Sequence, residues 1–287
     1  MSKGYVSKLE SNKYKSNSGT WYIPHFAVYN VNKPGKIRLV FDAAASSEGT
    51  SLNDVLLPGP DLLKPLTEVL FKFRQKEVGF GGDIQKMFHR VLIPDEDTTL
   101  QRFLWRDREI DQKPDIYEMK AMTFGSTSSP CSAQYVNNIN ALDYAEEFPE
   151  AAKAITDRHY VDDYFNSVHT DEDAIRIIKD VIEVHGRRGF LIRNWTCNSN
   201  HVLQQLSSHL RANKNKNTIS EDKTERVLGM NWNANDDTFT YSLNFSKVPK
   251  TVLDGSKSPI KREMLKVLMS LYDPLGFLTN FTIAGKF

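Results

Sequence analysis

Two adjacent carboxylates, Asp162 and Asp163, follow Tyr160 and Val161 at a predicted turn between runs of β-forming residues. Two ionised carboxylates this close repel each other unless a cation neutralises them, and a divalent metal ion would do so. Aspartate is also favoured in ordinary solvated turns. The pair therefore indicates either a metal site or a simple hairpin turn.

A third carboxylate, Asp83, ends a predicted strand that begins near Val78. Carboxylates from neighbouring strand ends would form an all-oxygen site of the kind that suits Mg²⁺. Two such ions about 4 Å apart can activate a hydroxyl group and stabilise a leaving pyrophosphate. The three acids together therefore favour nucleotidyl transfer over a solvated turn.

The composition is that of an ordinary globular protein, with 287 residues, 40% hydrophobic and 25% charged. The length predicts about two domains of roughly 150 residues each. Cys131 and Cys197 are too far apart for a redox or zinc Cys-x-x-Cys pair and too few for a disulfide scaffold, so we expect a reducing, intracellular compartment. The chain has no apolar leader and no run of about 18 apolar residues, which argues against secretion and membrane spanning.

The formal net charge is +1, but basic residues are unevenly distributed. Residues 1–38 hold seven Lys and Arg against one acid, and residues 211–266 hold eleven against seven. The first block is typical of a solvated tail, and the second suits a surface that lies along a nucleic-acid duplex.

Local patterns predict a mixture of strands and helices without strict β-α-β alternation, which favours an α+β architecture. The predicted strands form three hairpins and three single runs. The hairpins are Trp21–Val31 with Lys36–Phe41 around an Asn32–Gly35 turn, Arg158–Val168 around an Asp162-Asp163 turn, and 226–233 with 238–245. The single runs are 78–83, 101–106 and 116–122. Four helices are predicted. The first carries apolar residues from Leu62 to Phe73, and the second follows Pro130 with Tyr135, Ile139 and Leu142 on one face. The third begins near Ala174 and is ended by Gly186 and Gly189, and the fourth carries apolar residues from Met264 to Leu271.

Eight segments, in this order, resemble the reverse transcriptases of the BEL/Pao group of LTR retrotransposons. They begin with HFAVYNVNKPGKIRLVFDAAASSEGTSLNDVLLPGPDLL and continue with GGDIQKMFHRV, FLW, MTFGSTSSPCSAQ, HYVDDYFNSV, RGFLIRNWTCNSN, VLGMNW and KREMLKVLMSLYDPLGFL. The resemblance covers about residue 21 to the end. Several weak motifs in one fixed order are more specific than any one of them.

The resemblance implies a right-hand polymerase with fingers, a palm built on a ferredoxin-like antiparallel sheet, and a partial thumb. The implied divisions are a polar basic lead at 1–20, fingers at 21–82 and 94–122, palm at 83–93 and at 123–233 with the primer grip, and the start of the thumb or connection at 234–287. The apolar end of the chain suggests a cut through a longer protein.

The resemblance also implies roles for the acids. Asp83, Asp162 and Asp163 match the three palm carboxylates. Asp83 and Asp162 would bind two Mg²⁺ ions, for which Mn²⁺ could substitute, together with the backbone carbonyl of Ile84, and Asp163 would support them electrostatically.

For the nucleotide, Arg38 matches an arginine that clamps the triphosphate, with Lys36 assisting it and Met87 nearby. Phe88 matches an aromatic gate that selects dNTPs, and Val161 would contact the primer terminus or the sugar. Each has a simpler reading: Arg38 and Lys36 as surface charges, Phe88 as a core residue and Val161 as an ordinary strand residue.

Leu228, Gly229 and Met230 resemble the primer grip, where glycine permits a close backbone approach, although a hairpin bulge would look the same. Two positions depart from the retroviral pattern. Phe124 stands before Gly125 where Gln is common and could only stack or pack against a nucleotide. No lysine general acid is evident, and the nearest cation, Arg193, would be a poor proton donor.

The implied activity is RNA-directed DNA synthesis, and the implied partners are an RNA or DNA template with its primer, dNTPs, and flanking RNase H, integrase and protease segments of a polyprotein. The implied location is the cytoplasm, including virus-like particles, with no membrane partner. The alternatives are a non-polymerising nucleic-acid-binding fragment that keeps the fold, and a right-hand polymerase of another family. The seven histidines and two cysteines show no zinc spacing, and Ser126–Ser129 lack the base that a hydrolase needs.

Overall fold

The computed structural model describes residues 4–10, 19–29, 35, 37–107, 111–212 and 224–284. The chain is 36% helical and 24% strand, so the predicted α+β class is confirmed. It forms two compact units: the first comprises residues 1–63, 84–152 and 184–191, and the second comprises 64–83, 153–183 and 192–287. The residue bounds of the fingers, palm and thumb remain predictions.

The first unit is built on two antiparallel sheets and one long helix. Its strands are β1 (Val6–Lys8), β2 (His25–Tyr29), β3 (Ile37–Phe41), β5 (Arg102–Trp105) and β6 (Asp115–Met119), and its helices are α1 (Leu52–Val55) and α3 (Ser129–Asp143). Strands β2 and β3 form a hairpin, and β1, β6 and β5 form a sheet in that order. The predicted hairpin is confirmed, and of its turn only Gly35 lies within the described residues.

The second unit contains a four-stranded sheet and a three-stranded sheet. Its strands are β4 (Val78–Ile84), β7 (His159–Tyr160), β8 (Asp163–Val168), β9 (Ile192–Cys197), β10 (Thr224–Val227), β11 (Met230–Asn233) and β12 (Thr238–Thr240). Its helices are α2 (Leu66–Phe73), α6 (Asn200–Gln204), α7 (Lys250–Leu253), α8 (Lys261–Leu268) and α9 (Thr279–Ile283). The strand orders are β7-β8-β4-β9 and β10-β11-β12. Two helices, α4 (Pro149–Arg158) and α5 (Asp171–Arg187), have residues in both units, and Ile84, the last residue of β4, is counted with the first unit.

Each unit has its own apolar core, as burial of apolar surface requires. The core of the first consists of Ile23, Phe41, Ala43, Leu52, Phe103, Tyr117 and Met119. The core of the second consists of Val69, Leu70, Phe73, Phe165, Val227, Leu228, Met230, Trp232 and Ala234. In the second unit α2 packs on β8, and the rings of Phe73 and Phe165 lie 5.4 Å apart edge to face. This packing supports the strand that carries Asp163.

Two predicted helix ends were wrong. Helix α2 begins at Leu66 and not at Leu62, because Pro65 occupies its N-cap position and a proline disfavours helical conformation in the residue before it. Helix α5 continues through Gly186, and the chain takes a positive φ of 79° only at Gly189. A glycine costs a helix about 1 kcal/mol and does not by itself end one.

Other corrections concern the C-terminal part and α4. Residues 226–233 are not one strand but the β10–β11 hairpin, and β12 ends at Thr240, before Leu243 and Phe245. Helix α8 ends at Leu268, before Leu271. Helix α4 was not predicted, because its apolar residues are mostly alanines, which give a weak periodic signal.

Candidate active site

The three predicted carboxylates lie in the second unit, at one end of the four-stranded sheet. Strand β4 carries Asp83 next to its last residue, and strand β8 begins at Asp163. The two strands are antiparallel, and Asp83 pairs directly with Asp163. Asp162 lies in the turn just before β8. The structure therefore brings together the three acids that the sequence singled out.

The β7–β8 hairpin has a two-residue turn, since Tyr160 pairs with Asp163. Val161, the first residue of this turn, has a φ of 57°. Two-residue hairpin turns need positive φ at the first position, which is strained for a β-branched side chain. Such strain is typical of functional sites, where surrounding structure holds the residue in place.

The site is electrostatically unfavourable for three ionised acids. Burial, followed by the charges of Asp162 and Asp83, raises the pKa of Asp163 to about 7. Burial is also the main cause of the raised pKa of Asp162, to which Asp83 adds. A bound cation would remove the repulsion and favour the ionised forms.

Asp83 also has a neutral partner that the sequence analysis missed. The side-chain nitrogen Nδ2 of Asn194, on β9, donates a hydrogen bond of 2.5 Å to Oδ1 of Asp83. Arg193, the neighbouring residue, was the nearest cation in this segment of the sequence. The only local feature that could have pointed to Asn194 is its polar side chain within a run of strand-forming residues, between Arg193 and Trp195.

The oxygens of these three acids suit Mg²⁺ because carboxylate oxygens are hard ligands. Among the described residues, no cationic side chain is bonded to them. In that same part of the chain, no group of three or more His, Cys, Asp or Glu side chains is placed so that it could hold a metal ion, and this includes the group of Asp83, Asp162 and Asp163. Mg²⁺ is usually held by one or two carboxylates with waters and substrate phosphates, so a site made of three protein side chains is not required. The predicted Ile84 carbonyl follows Asp83 at the end of β4.

The predicted primer grip is a tight turn in the same unit. Leu228 and Gly229 are the two turn residues between β10 and β11, with φ of 47° and 90°, and Met230 is buried. A Cβ atom on Gly229 would lie 2.8 Å from Cε1 of Tyr272. Glycine is therefore required both by the backbone conformation and by the close approach of this ring.

Four of the predicted nucleotide-binding residues belong to the first unit. Arg38 is an exposed residue of β3, paired with Val28, and no acid among the described residues lies within ion-pair distance of it. Met87 is buried, and Phe88, only 7% exposed, lies with its ring 4.4 Å from that of Phe124. Phe124 itself is 49% exposed. Lys36 lies outside the described residues.

No helix in the described part of the chain has the length and apolar character needed to cross a membrane. Neither Cys131 nor Cys197 is part of a disulfide.

Comparison with known proteins finds no matching family model and no matching curated protein. Two solved structures of foamy viral protease-reverse transcriptases are similar in fold. One is a complex with double-stranded DNA, with a TM-score of 0.56 and 17% identity over 94% of this chain. The other is a complex with an RNA/DNA hybrid, with a TM-score of 0.55 and 15% identity over 98% of this chain.

The chain has the fold of a reverse transcriptase polymerase. It spans 37% and 31% of the two foamy viral chains. The predicted right-hand polymerase architecture is thereby confirmed. At these identities the likeness concerns the fold, and the site residues remain predictions.

Proposed function

We propose that the chain is the polymerase region of an RNA-directed DNA polymerase of the BEL/Pao group of LTR retrotransposons. The observation that carries the proposal is the pairing of Asp83 with Asp163, with Asp162 in the adjoining hairpin turn, within a reverse transcriptase fold. Three mutually repelling acids stabilise nothing by themselves, whereas they suit a reaction that needs divalent cations.

In this proposal Asp83 and Asp162 hold two Mg²⁺ ions with the carbonyl oxygen of Ile84, and Asp163 adds negative charge beside them. Mn²⁺ has similar ligand preferences and could substitute. When bound, the ions lower the pKa of the primer 3′-hydroxyl and neutralise charge that develops on the phosphates. The protein contributes the fixed position of the acids: Asp83 and Asp163 sit on central strands of the sheet.

The nucleotide would be bound by the residues that the resemblance to reverse transcriptases implies. Arg38 and Lys36 supply positive charge for the triphosphate, and the absence of a paired acid at Arg38 in the described region leaves its guanidinium available. Met87, Phe88 and Phe124 would form the apolar side of the nucleotide pocket, since the Phe88 and Phe124 rings already contact each other. Val161 would meet the sugar or the primer end.

The Leu228–Met230 turn would hold the primer strand, and Lys and Arg side chains would contact phosphates along the template and primer. RNase H, integrase and protease segments would flank the chain in a polyprotein. The protein would act in the cytoplasm, including virus-like particles.

Primer extension tests the proposal. A labelled DNA primer on an RNA template is incubated with dNTPs and Mg²⁺, and the protein is compared with Asp162→Asn. The substitution keeps the shape but removes a charged ligand, so extension should fall by about a thousandfold or more. The matched control is Asp111→Asn, which alters an exposed acid in the first unit and should leave extension unchanged.

A different result distinguishes the non-polymerising alternative. If neither the parent nor Asp162→Asn extends the primer while both bind template and primer equally, the protein is a nucleic-acid-binding fragment with a polymerase fold, and the proposal is wrong.

A further inference from the structure

Asn194 makes a contact with Asp83 that no sequence pattern identified. Its Nδ2 atom donates a hydrogen bond of 2.5 Å to Oδ1 of Asp83. We propose that Asn194 is a positioning residue that fixes the orientation of Asp83 for binding divalent metal ions. This inference rests on the proposed function, because it assigns a role to Asn194 only if Asp83 binds metal.

The backbone explains how a strand residue can reach across to Asp83. Asn194 lies within β9 but has a φ of 54°, in the left-handed region. Asparagine tolerates this conformation better than most residues with a side chain. A single residue of this kind changes the direction of its side chain relative to regular alternation, as a β-bulge does.

Strand β9 passes close to β4 at this position. A Cβ atom on Gly82 would lie 3.1 Å from the carbonyl oxygen of Arg193 and 3.1 Å from Cδ2 of Trp195. Gly82 directly precedes Asp83, and the absence of a side chain there lets the backbone of Arg193 and the indole ring of Trp195, the two neighbours of Asn194, pack closely on β4. The donor is thus brought to Asp83 by strand packing.

Trp195, the residue after Asn194, is packed in the core. Its side chain is fully buried, and its ring lies 5.8 Å from that of Tyr164 and 6.4 Å from that of Phe80. Tyr164 follows Asp163 on β8, and Phe80 lies on β4. The residue that follows Asn194 is therefore packed against the two strands that carry the acids.

The chemistry of an amide suits this role better than that of a cation. A lysine or arginine at this place would neutralise Asp83 and compete with a metal ion for it. The amide donates one hydrogen bond to Oδ1 and brings no net charge, so the negative charge of Asp83 and its second oxygen remain available. Ligating carboxylates are often held by such hydrogen bonds, whose loss lowers metal affinity or activity about 10- to 100-fold.

Asn194→Gly tests the inference because glycine accepts the positive φ and removes the side chain that carries the amide. Mn²⁺ binding is measured by electron paramagnetic resonance without nucleotide, and primer extension is measured across dNTP concentrations. We expect Mn²⁺ affinity to fall about 10- to 100-fold, kcat to fall similarly at fixed Mg²⁺, and the KM for dNTP to change little. Raising the metal concentration should restore part of the rate.

Glu48→Gly is the matched control, because Glu48 is exposed, lies in the first unit and has the same φ of 54°. It should alter neither measurement. A second variant, Asn194→Ala, also lacks the donor and should weaken Mn²⁺ binding as Asn194→Gly does. Circular dichroism melting identifies any variant that fails to fold.

The outcomes separate the two proposals. If the parent extends primers and Asn194→Gly keeps the parental Mn²⁺ affinity and kcat, the positioning role of Asn194 is wrong and the proposed function stands. If the parent neither extends primers nor binds Mn²⁺, the proposed function fails and the role of Asn194 fails with it.

Discussion

Asp83 and Asp163 face each other as paired residues of the two central strands of a four-stranded sheet. Like charges at directly opposed positions destabilise a sheet, and here Asp162 adds a third acid in the adjoining turn. The pair is therefore a local cost to stability that a bound cation would offset. Several measurable properties of the protein depend on this relationship.

The stability of the metal-free protein should fall as pH rises from about 4 to about 7. The pKa of Asp163 is raised from 3.8 to about 7 in the folded protein, so the folded state binds a proton there more tightly than the unfolded state does. A group of this kind stabilises the fold fully below its unfolded pKa, and its contribution is lost as pH passes through the folded pKa. Urea unfolding at about pH 5 and about pH 8, with a chelator present, measures the difference.

Asp163→Asn should make this pH dependence shallower, because the asparagine does not titrate. Mg²⁺ should do the same in the parent by favouring the ionised acids. An unchanged pH dependence in Asp163→Asn would show that other groups cause it.

Gly229→Ala should destabilise the fold by about 1 to 3 kcal/mol, because the new methyl group meets the ring of Tyr272 at a residue with positive φ. If the Leu228–Gly229 turn grips the primer, the KM for template and primer should also rise. Gly255→Ala is the matched control: its φ is 74°, but nothing lies within 4 Å of the added Cβ. A similar loss of stability in both variants would indicate backbone strain alone, without the Tyr272 contact.

Arg38→Ala should raise the KM for dNTP about 10- to 100-fold and leave primer binding unchanged, because a charge-assisted hydrogen bond contributes about 1.5 to 3 kcal/mol. Steady-state incorporation of one nucleotide measures the effect. Arg106→Ala changes another exposed arginine of the first unit and serves as the control. Equal KM values for the parent and Arg38→Ala would remove Arg38 from the nucleotide site.

Phe88→Ala should reduce the preference for dNTPs over rNTPs if this ring excludes the ribose 2′-hydroxyl. The side chain is buried and contacts Phe124, so the substitution should also cost about 3 to 5 kcal/mol of stability. The ratio of rNTP to dNTP incorporation is the appropriate measurement, because the amount of folded protein cancels from it. An unchanged ratio would leave Phe88 as a core residue only.

Local sequence was enough to identify most elements of the fold. Runs of β-forming residues on both sides of Asp162 and Asp163 predicted the hairpin, although its turn consists of Val161 and Asp162. The run from Val78 predicted the strand that carries Asp83. These signals are local because strands and turns depend on residues a few positions apart. The order of the weak motifs then pointed to a reverse transcriptase, and the fold is confirmed.

Helix α3 shows where local patterns mislead. Its apolar residues Tyr135, Ile139 and Leu142 do share a face, but that face is exposed, while Asn137 and Asn140 are buried. Periodicity reports that a helix has two different faces. Which face is covered is decided by the elements that pack on it.

The sequence by itself determined the kinds of residue at the site and the turns and strands that carry them. Tertiary structure decided the strand register that pairs Asp83 with Asp163. It also decided the close packing of the Tyr272 ring on Gly229 and the hydrogen bond from Asn194 to Asp83. These residues are far apart along the chain, and a shift of one residue in register would turn each side chain to the opposite face of the sheet. Such contacts depend on the packing of whole elements, and local sequence does not encode them.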